Sequence, residues 1–160
     1  DSCHMLSLNG GVRAEFTVYR KSRNSFYLLL SGATERHDWD YLNKLLPKNR
    51  SINIQNITTQ KGVFVIAGPK SRSLLQKLTD TSLDNEHFPW LTGKTVNIGY
   101  GIADALRINF VGELGWELHH PIEMQNYIFD ELNKAGEEFN IKPFGGRALS
   151  SNTSAKYINF

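Results

Sequence analysis

One cysteine, five prolines and a net charge of only +2 are the scarcities of this 160-residue sequence. The lone Cys3 cannot close a disulfide within the chain or build a cysteine-based zinc site. No apolar run approaches the roughly 18–20 residues that a membrane-spanning helix needs. The clearest apolar runs, Phe26–Leu30 and Val63–Ala67, are far shorter. The opening Asp1-Ser2-Cys3-His4 has no basic stretch leading into an apolar one, so no signal peptide is read there. What is present is 40% hydrophobic and 21% charged residues, the balance of one ordinary globular domain rather than a disordered, collagen-like or membrane chain. The expectation is a soluble domain inside the cell, cytoplasmic or, as the alternative, in the mitochondrial matrix, with no membrane partner.

The small net charge hides an asymmetry. Residues 1–80 carry 12 basic and 6 acidic side chains, whereas residues 81–160 carry 6 basic and 10 acidic ones. A basic half can attract a polyanion. Here the basic residues are scattered, and the one close cluster, Arg20, Lys21 and Arg23, falls at an expected turn. No recognised nucleic-acid module accompanies the charge, so no nucleic-acid partner is expected.

The chain contains no G-x-x-x-x-G-K-[ST] phosphate loop and no G-x-G-x-x-G dinucleotide fingerprint; Gly99-Tyr100-Gly101 lacks the third glycine. It has no G-x-S-x-G nucleophile elbow. His119 and His120 are adjacent, so on a strand they point to opposite faces and do not hold one metal together. They are read as surface or strand-end histidines, and no metal is expected. Nothing marks Cys3 as a nucleophile.

Hydrophobic periodicity predicts an α+β fold of mixed, mostly antiparallel sheets with strand–strand–helix repeats. Ser7–Gly11 reads as a turn. Residues Val12–Tyr19 alternate, with Val12, Ala14, Phe16 and Val18 on one side and Arg13, Glu15, Thr17 and Tyr19 on the other. Ser25–Leu30 completes a hairpin. Thr34 can cap a helix to about Leu46, with Leu42, Leu45 and Leu46 on its apolar face. Ser51–Ile57 and Gly62–Ala67 read as strands, and Gly68-Pro69 opens a helix to about Leu78 with Leu74, Leu75 and Leu78 inward. Leu83–Gly93 is irregular. Thr95–Gly99, Ala103–Phe110 and Gly115–His119 read as strands. Pro121–Ala135 reads as a helix whose inner stripe is Ile122, Tyr127, Ile128 and Leu132. Pro143–Gly146 is a break before a short helical start at Ala148-Leu149.

Three segments, in order, carry a resemblance. They are Met5-Leu6-Ser7-Leu8-Asn9-Gly10-Gly11-Val12-Arg13-Ala14-Glu15-Phe16-Thr17-Val18; Ile66-Ala67-Gly68-Pro69 with Leu74-Leu75 and Lys77-Leu78; and Arg107–Leu118, closed by Phe144-Gly145-Gly146-Arg147-Ala148-Leu149. The string Val111-Gly112-Glu113-Leu114-Gly115-Trp116-Glu117-Leu118 is the most specific piece. Together they resemble the folate-binding module of the glycine-cleavage aminomethyltransferases (T-protein), and most of all the tetrahydrofolate-binding region of dimethylglycine and sarcosine dehydrogenases. The resemblance covers roughly residues 5–149.

The resemblance implies a T-protein-like folate-binding fold and one-carbon transfer giving 5,10-methylene-tetrahydrofolate. Tetrahydrofolate is the implied cofactor, and FAD belongs only to a missing companion domain. An N-methyl amine or aminomethyl donor is the implied partner through another domain. Glu15 matches the position of the family's acid near folate N10, where the common residue is aspartate. A carboxylate there can take a proton or steady developing positive charge; the alternative is an outward-facing strand glutamate. Glu117 matches the pterin ligand, whose forked acceptors suit two adjacent N–H donors. Glu113 either touches the ligand or shapes the loop. Phe110 stands where a tyrosine is frequent and either faces the ligand or packs as strand core. Arg147 matches a folate-contacting arginine or is a plain surface residue. Trp116 is expected in the core.

The match fails after Leu149, where Ser150-Ser151-Asn152-Thr153-Ser154 replaces an expected amphipathic helix with residues of capping type. The expected organisation is a partial domain over 1–149 and a divergent tail over 150–160, the whole being a piece of a larger protein and inactive alone. The competing reading is a non-catalytic regulatory or binding module of the same fold, as in the pyruvate dehydrogenase phosphatase regulatory subunit. An iron–sulfur assembly factor of this fold is disfavoured because its K-G-C-Y-x-G-Q-E signature is absent.

Overall fold

Seven strands and three α-helices make up the computed structural model, which describes residues 2–110 and 112–148. The residues divide into two units, Asp1–Ile57 and Thr58–Phe160, each with its own sheet. All strand pairs are antiparallel, so the expected α+β class with antiparallel sheets is found.

In the first unit, β1 (Ser2–Leu6), β2 (Val12–Ser22) and β3 (Ser25–Leu29) pair in the order β1-β2-β3. The alternation of Val12–Tyr19 and the hairpin with Ser25–Leu29 appear where they were expected, and β1 is an additional strand. The turn between β1 and β2 closes through the Ser7 N–H donating to the Gly11 carbonyl at 2.8 Å. Gly10 there has φ +82°, a backbone region that glycine enters without a Cβ clash.

A 3-10 turn, Gly32–Thr34, leads into α1 (Glu35–Leu45). Thr34 stands at the N-cap position of this helix, as expected, but its side chain makes no capping bond to the backbone; its hydroxyl donates to Asp38 Oδ2 at 2.6 Å. Leu45, expected on the inner face, is exposed, and the one buried side chain of α1 is Asp38. Ser51–Ile57, expected as a strand, forms no helix or strand. Its alternating isoleucines have the right period, but no strand pairs with them and Ile52 is exposed.

In the second unit, β4 (Lys61–Ala67), β5 (Gly93–Ile98), β6 (Gly101–Leu106) and β7 (Gly115–Pro121) pair in the order β4-β7-β6-β5. The helices are α2 (Ser71–Gln76) and α3 (Gln125–Gly136). Strand β6 ends four residues before the expected Phe110. Arg107 turns its backbone to the 91–92 loop instead: its N–H donates to the Thr92 carbonyl, and its carbonyl accepts from Leu91 N–H.

The core lies in this unit. Leu75 of α2, Ile98 of β5, Trp116 and Leu118 of β7 and Ile128 of α3 are fully buried. Leu83 and Phe88, from the irregular segment, are fully buried as well, and Phe88 meets Trp116 edge-on with ring centroids 6.2 Å apart. On α3, Ile128 and Leu132 bury as expected, whereas Ile122 lies in the preceding 3-10 turn and is exposed. The Tyr127 hydroxyl accepts the Tyr100 N–H at 2.9 Å, tying α3 to the β5–β6 turn.

Candidate functional site

The string that ends in Trp116-Glu117-Leu118 enters β7, a central strand with β4 on one side and β6 on the other. Its approach is pinned by the segment after β4. The Leu114 carbonyl accepts the Gly68 N–H at 2.8 Å and the Ser71 hydroxyl at 3.0 Å. Gly115 has no room for a side chain, because a Cβ would run into the Ile66 carbonyl oxygen and the Asn109 amide. Asn109 in turn donates to the Glu113 carbonyl at 3.2 Å, which closes the loop before the strand. The Gly68-Pro69 segment and the Gly112–Leu118 string, far apart in sequence, therefore meet at one carbonyl.

Strand alternation then sorts the side chains. Trp116 and Leu118 join the helix-packed core. Glu117 and His119 point to the other face. The Glu117 carboxylate is 23% exposed, and His119 is only 1% exposed. His119 Nε2 lies 3.1 Å from Glu117 Oε2. An ionised carboxylate only accepts, so Nε2 carries the shared proton.

On the β6 side, Asp104 stands opposite His119 in the register and is 6% exposed. The hydroxyl of Thr95 on β5 donates to Asp104 Oδ1 at 2.7 Å. The strand pairing thus sets Thr95, Asp104 and His119 in one row across the sheet, with Glu117 next along β7.

The two adjacent histidines do face opposite ways, but both are buried, which corrects their reading as surface or strand-end residues. The His120 ring stacks on Phe64 at 5.0 Å, with Nδ1 3.0 Å from the Leu118 carbonyl and Nε2 2.6 Å from Gln125 Oε1. His120 faces the helices, where the Phe64 ring and Gln125 of α3 meet it, and His119 faces the other side, next to Glu117 and opposite Asp104. Among the described residues, no cluster of His, Cys, Asp and Glu is arranged to hold a metal ion.

The other expected site residues lie at more open positions. Phe110 is 70% exposed, so it is not strand core. Glu113 is exposed on the loop before β7, and Arg147 is exposed in a helical turn over 146–148. Glu15 belongs to the first unit, on β2 opposite His4. Its carboxylate is 70% exposed, with the Ser2 hydroxyl at 3.4 Å and His4 Nε2 at 4.0 Å. Leu149 and the expected tail over 150–160 lie outside the described residues. Asp104 was not singled out from the sequence, and His119 was weighed there only as a surface or strand-end histidine. A polar residue two places after Glu117, on the same strand face, was the available signal.

The GCVT N-terminal domain model matches residues 2–158. The chain is 38% identical over 149 residues to the mouse mitochondrial dimethylglycine dehydrogenase, covering 92% of this chain and 17% of that protein. It is 31% identical over 161 residues to human mitochondrial sarcosine dehydrogenase, covering 92% of this chain and 18% of that protein. The mouse pyruvate dehydrogenase phosphatase regulatory subunit, also mitochondrial, is 28% identical over 159 residues, covering 98% of this chain and 18% of that protein. The chain therefore spans less than a fifth of the length of these relatives. Among solved structures, heterotetrameric sarcosine oxidase from Corynebacterium sp. U-96 superposes with a TM-score of 0.67 at 17% identity, covering 81% of this chain and 64% of that one, which shows a shared fold. No helix among the described residues is long and apolar enough to cross a membrane.

Proposed function

Because the chain belongs to the GCVT N-terminal domain family, we propose that it is part of a folate-binding domain in a dimethylglycine or sarcosine dehydrogenase-like protein, where it serves one-carbon transfer to tetrahydrofolate. The observation that carries this reading is Glu117: a half-sheltered carboxylate on a central strand, with one oxygen held by His119. Such an acceptor set fits a ligand edge with two adjacent N–H donors, as the pterin ring presents. In this reading Glu117 binds the pterin, while Glu113, Phe110 and Arg147 lie on exposed segments available to the rest of the folate. Glu15 acts as the carboxylate near N10, holding or accepting a proton there. Tetrahydrofolate, when bound, supplies the nitrogens that receive a formaldehyde-level carbon, giving 5,10-methylene-tetrahydrofolate. FAD is assigned to a companion domain, since this chain has no dinucleotide fingerprint. The partial domain runs over 1–149, and the mitochondrial relatives favour the matrix over the cytoplasm.

The walls that would enclose a pterin in a full-length protein dominate its affinity, because hydrogen bonds in water are weak. The 160-residue chain alone therefore binds tetrahydrofolate weakly, near millimolar, on the order of 4 kcal/mol. Titration of isotope-labelled chain, followed by amide NMR shifts, is the test. Shifts centred on Glu117 that weaken about tenfold or more in Glu117→Gln support the reading. Unchanged spectra at saturating tetrahydrofolate would sink it.

A second reading keeps the fold without the reaction. It draws on the 28% identity to the phosphatase regulatory subunit. Glu15→Gln in the full-length dehydrogenase-like protein separates the two. Loss of folate-coupled product with folate binding retained supports catalysis, whereas unchanged product formation leaves Glu15 without the proposed role.

A further inference from the structure

We propose that His119 is a positioning residue, whose imidazole fixes the Glu117 carboxylate in the orientation that a two-donor ligand edge requires. The inference rests on the reading of Glu117 as the ligand-binding carboxylate. Its own support is separate: a 1% exposed imidazole, 3.1 Å from Oε2, on the same face of a central strand.

An imidazole in a sheet interior costs stability unless its N–H groups are partnered. A position with no role beyond filling space would suit Val, Ile or Leu, as elsewhere on a buried strand. Here the Nε2–H group is committed to Glu117. A free glutamate samples several rotamers, and ordering it on ligand binding costs affinity. The contact with His119 places that ordering in the folded protein before any ligand arrives.

The stoichiometry of lone pairs leaves the site open. An ionised carboxylate has about four lone-pair directions. His119 takes one on Oε2, so Oε1 and the second direction on Oε2 remain for two donors side by side. The ring itself is set by the sheet. His119 stands opposite Asp104, whose carboxylate is fixed by the Thr95 hydroxyl at 2.7 Å. Because β7 pairs on both edges, a slip of register would turn His119 and Glu117 to the wrong face and is strongly disfavoured. Placing a binding group on a rigid strand with such a support is how a site holds its geometry to a fraction of an ångström.

The test has one arm that needs no ligand. In the isotope-labelled 160-residue chain, the His119 Nε2–H is expected as a slowly exchanging imidazole proton resonance, lost in Glu117→Leu. A resonance that persists unchanged in Glu117→Leu overturns the contact. The second arm is tetrahydrofolate titration of His119→Phe and His119→Gln. Phenylalanine fills the space without a donor, and about a tenfold loss of affinity is expected. Glutamine keeps an N–H donor and is expected to restore most of it, which a merely space-filling role does not predict. Wild-type affinity in His119→Phe, with affinity lost in Glu117→Gln, overturns the positioning role alone. Wild-type affinity in Glu117→Gln overturns the ligand role of Glu117, while the imidazole resonance still reports whether His119 holds it. If His119→Phe fails to fold, the glutamine variant and the imidazole resonance decide.

Discussion

The two units of the chain hold themselves together by different means. In the second, Trp116, Phe88, Leu83, Leu75, Leu118 and Ile128 vanish from the surface into one core between sheet and helices. In the first, the only buried apolar side chain among the described residues is Met5, while Leu6, Leu8, Val12, Phe26 and Leu45 are all more than half exposed. What the first unit has is a ladder of three strands and a set of polar contacts on α1. Arg13 lies over the Tyr41 ring at 4.4 Å and meets His37 Nε2 at 3.3 Å, and His37 meets the buried Asp38 at 3.0 Å. Few-stranded sheets without a buried face are marginal by themselves. The candidate site residues divide the same way: Glu117 has a buried neighbour, His119, on a central strand, whereas the carboxylate of Glu15 is 70% exposed on β2. Precision of placement follows burial.

The comparison breaks most directly at Trp116. It is fully buried, meets Phe88, and carries the guanidinium groups of Arg72 and Arg107 within 6 Å of its ring centre. Trp116→Ala is expected to cost about 3–5 kcal/mol, read as a fall in the denaturant midpoint. Phe26→Ala, which removes an exposed aromatic from the first unit, serves as the control and stays within about 0.5 kcal/mol. Comparable costs for the two would erase the distinction.

Asp38 tests whether polar contacts do in the first unit what apolar burial does in the second. Burial works to raise its carboxyl, but hydrogen bonds from Thr34 and His37 outweigh that and hold it below the ordinary carboxylate range. A carboxyl depressed by folding contributes stability above its unfolded value, near pH 4, and loses that contribution as pH falls through the lower folded value. Acid titration below about pH 4, followed by the fluorescence of Trp39 on α1, should therefore destabilise the first unit. Asp38→Ala should flatten that dependence and cost about 1–3 kcal/mol at neutral pH. An acid profile that Asp38→Ala leaves unaltered would show that α1 is held by something else.

How far the sequence could be read follows from how local each feature is. The strand signals of Val12–Tyr19, Gly62–Ala67 and Gly115–His119 are written in adjacent residues, and strands appear there. Ser51–Ile57 has the same signature and no strand, because a strand also needs a partner edge, which adjacent residues do not encode. The apolar face expected for α1 is only partly met: Leu42 and Leu46 are half-buried, Leu45 is exposed, and the fully buried side chain of the helix is Asp38. Glu117 was legible through its motif rather than its period. His119 was misread as surface because the burial of a strand side chain is set by the folded molecule around it and not by its adjacent residues. The meeting of Gly68 and Ser71 with the Leu114 carbonyl was equally hidden, since the partners are more than 40 residues apart along the chain.

The smallest expected effect sharpens the comparison from the other side. Leu8 lies fully exposed in the turn before β2, and Val12 begins that strand with most of its side chain in solvent. An apolar side chain that stays in water in both the folded and unfolded states gains nothing from folding. Leu8→Ser and Val12→Thr should accordingly shift stability by no more than about 0.5 kcal/mol, with threonine keeping the β-branched shape that suits a strand. Denaturant melts of the two variants measure this. A loss of more than about 2 kcal/mol in either would mean that the first sheet gains apolar cover in solution, and the contrast between a buried unit and an unburied one would then have to be withdrawn for that face.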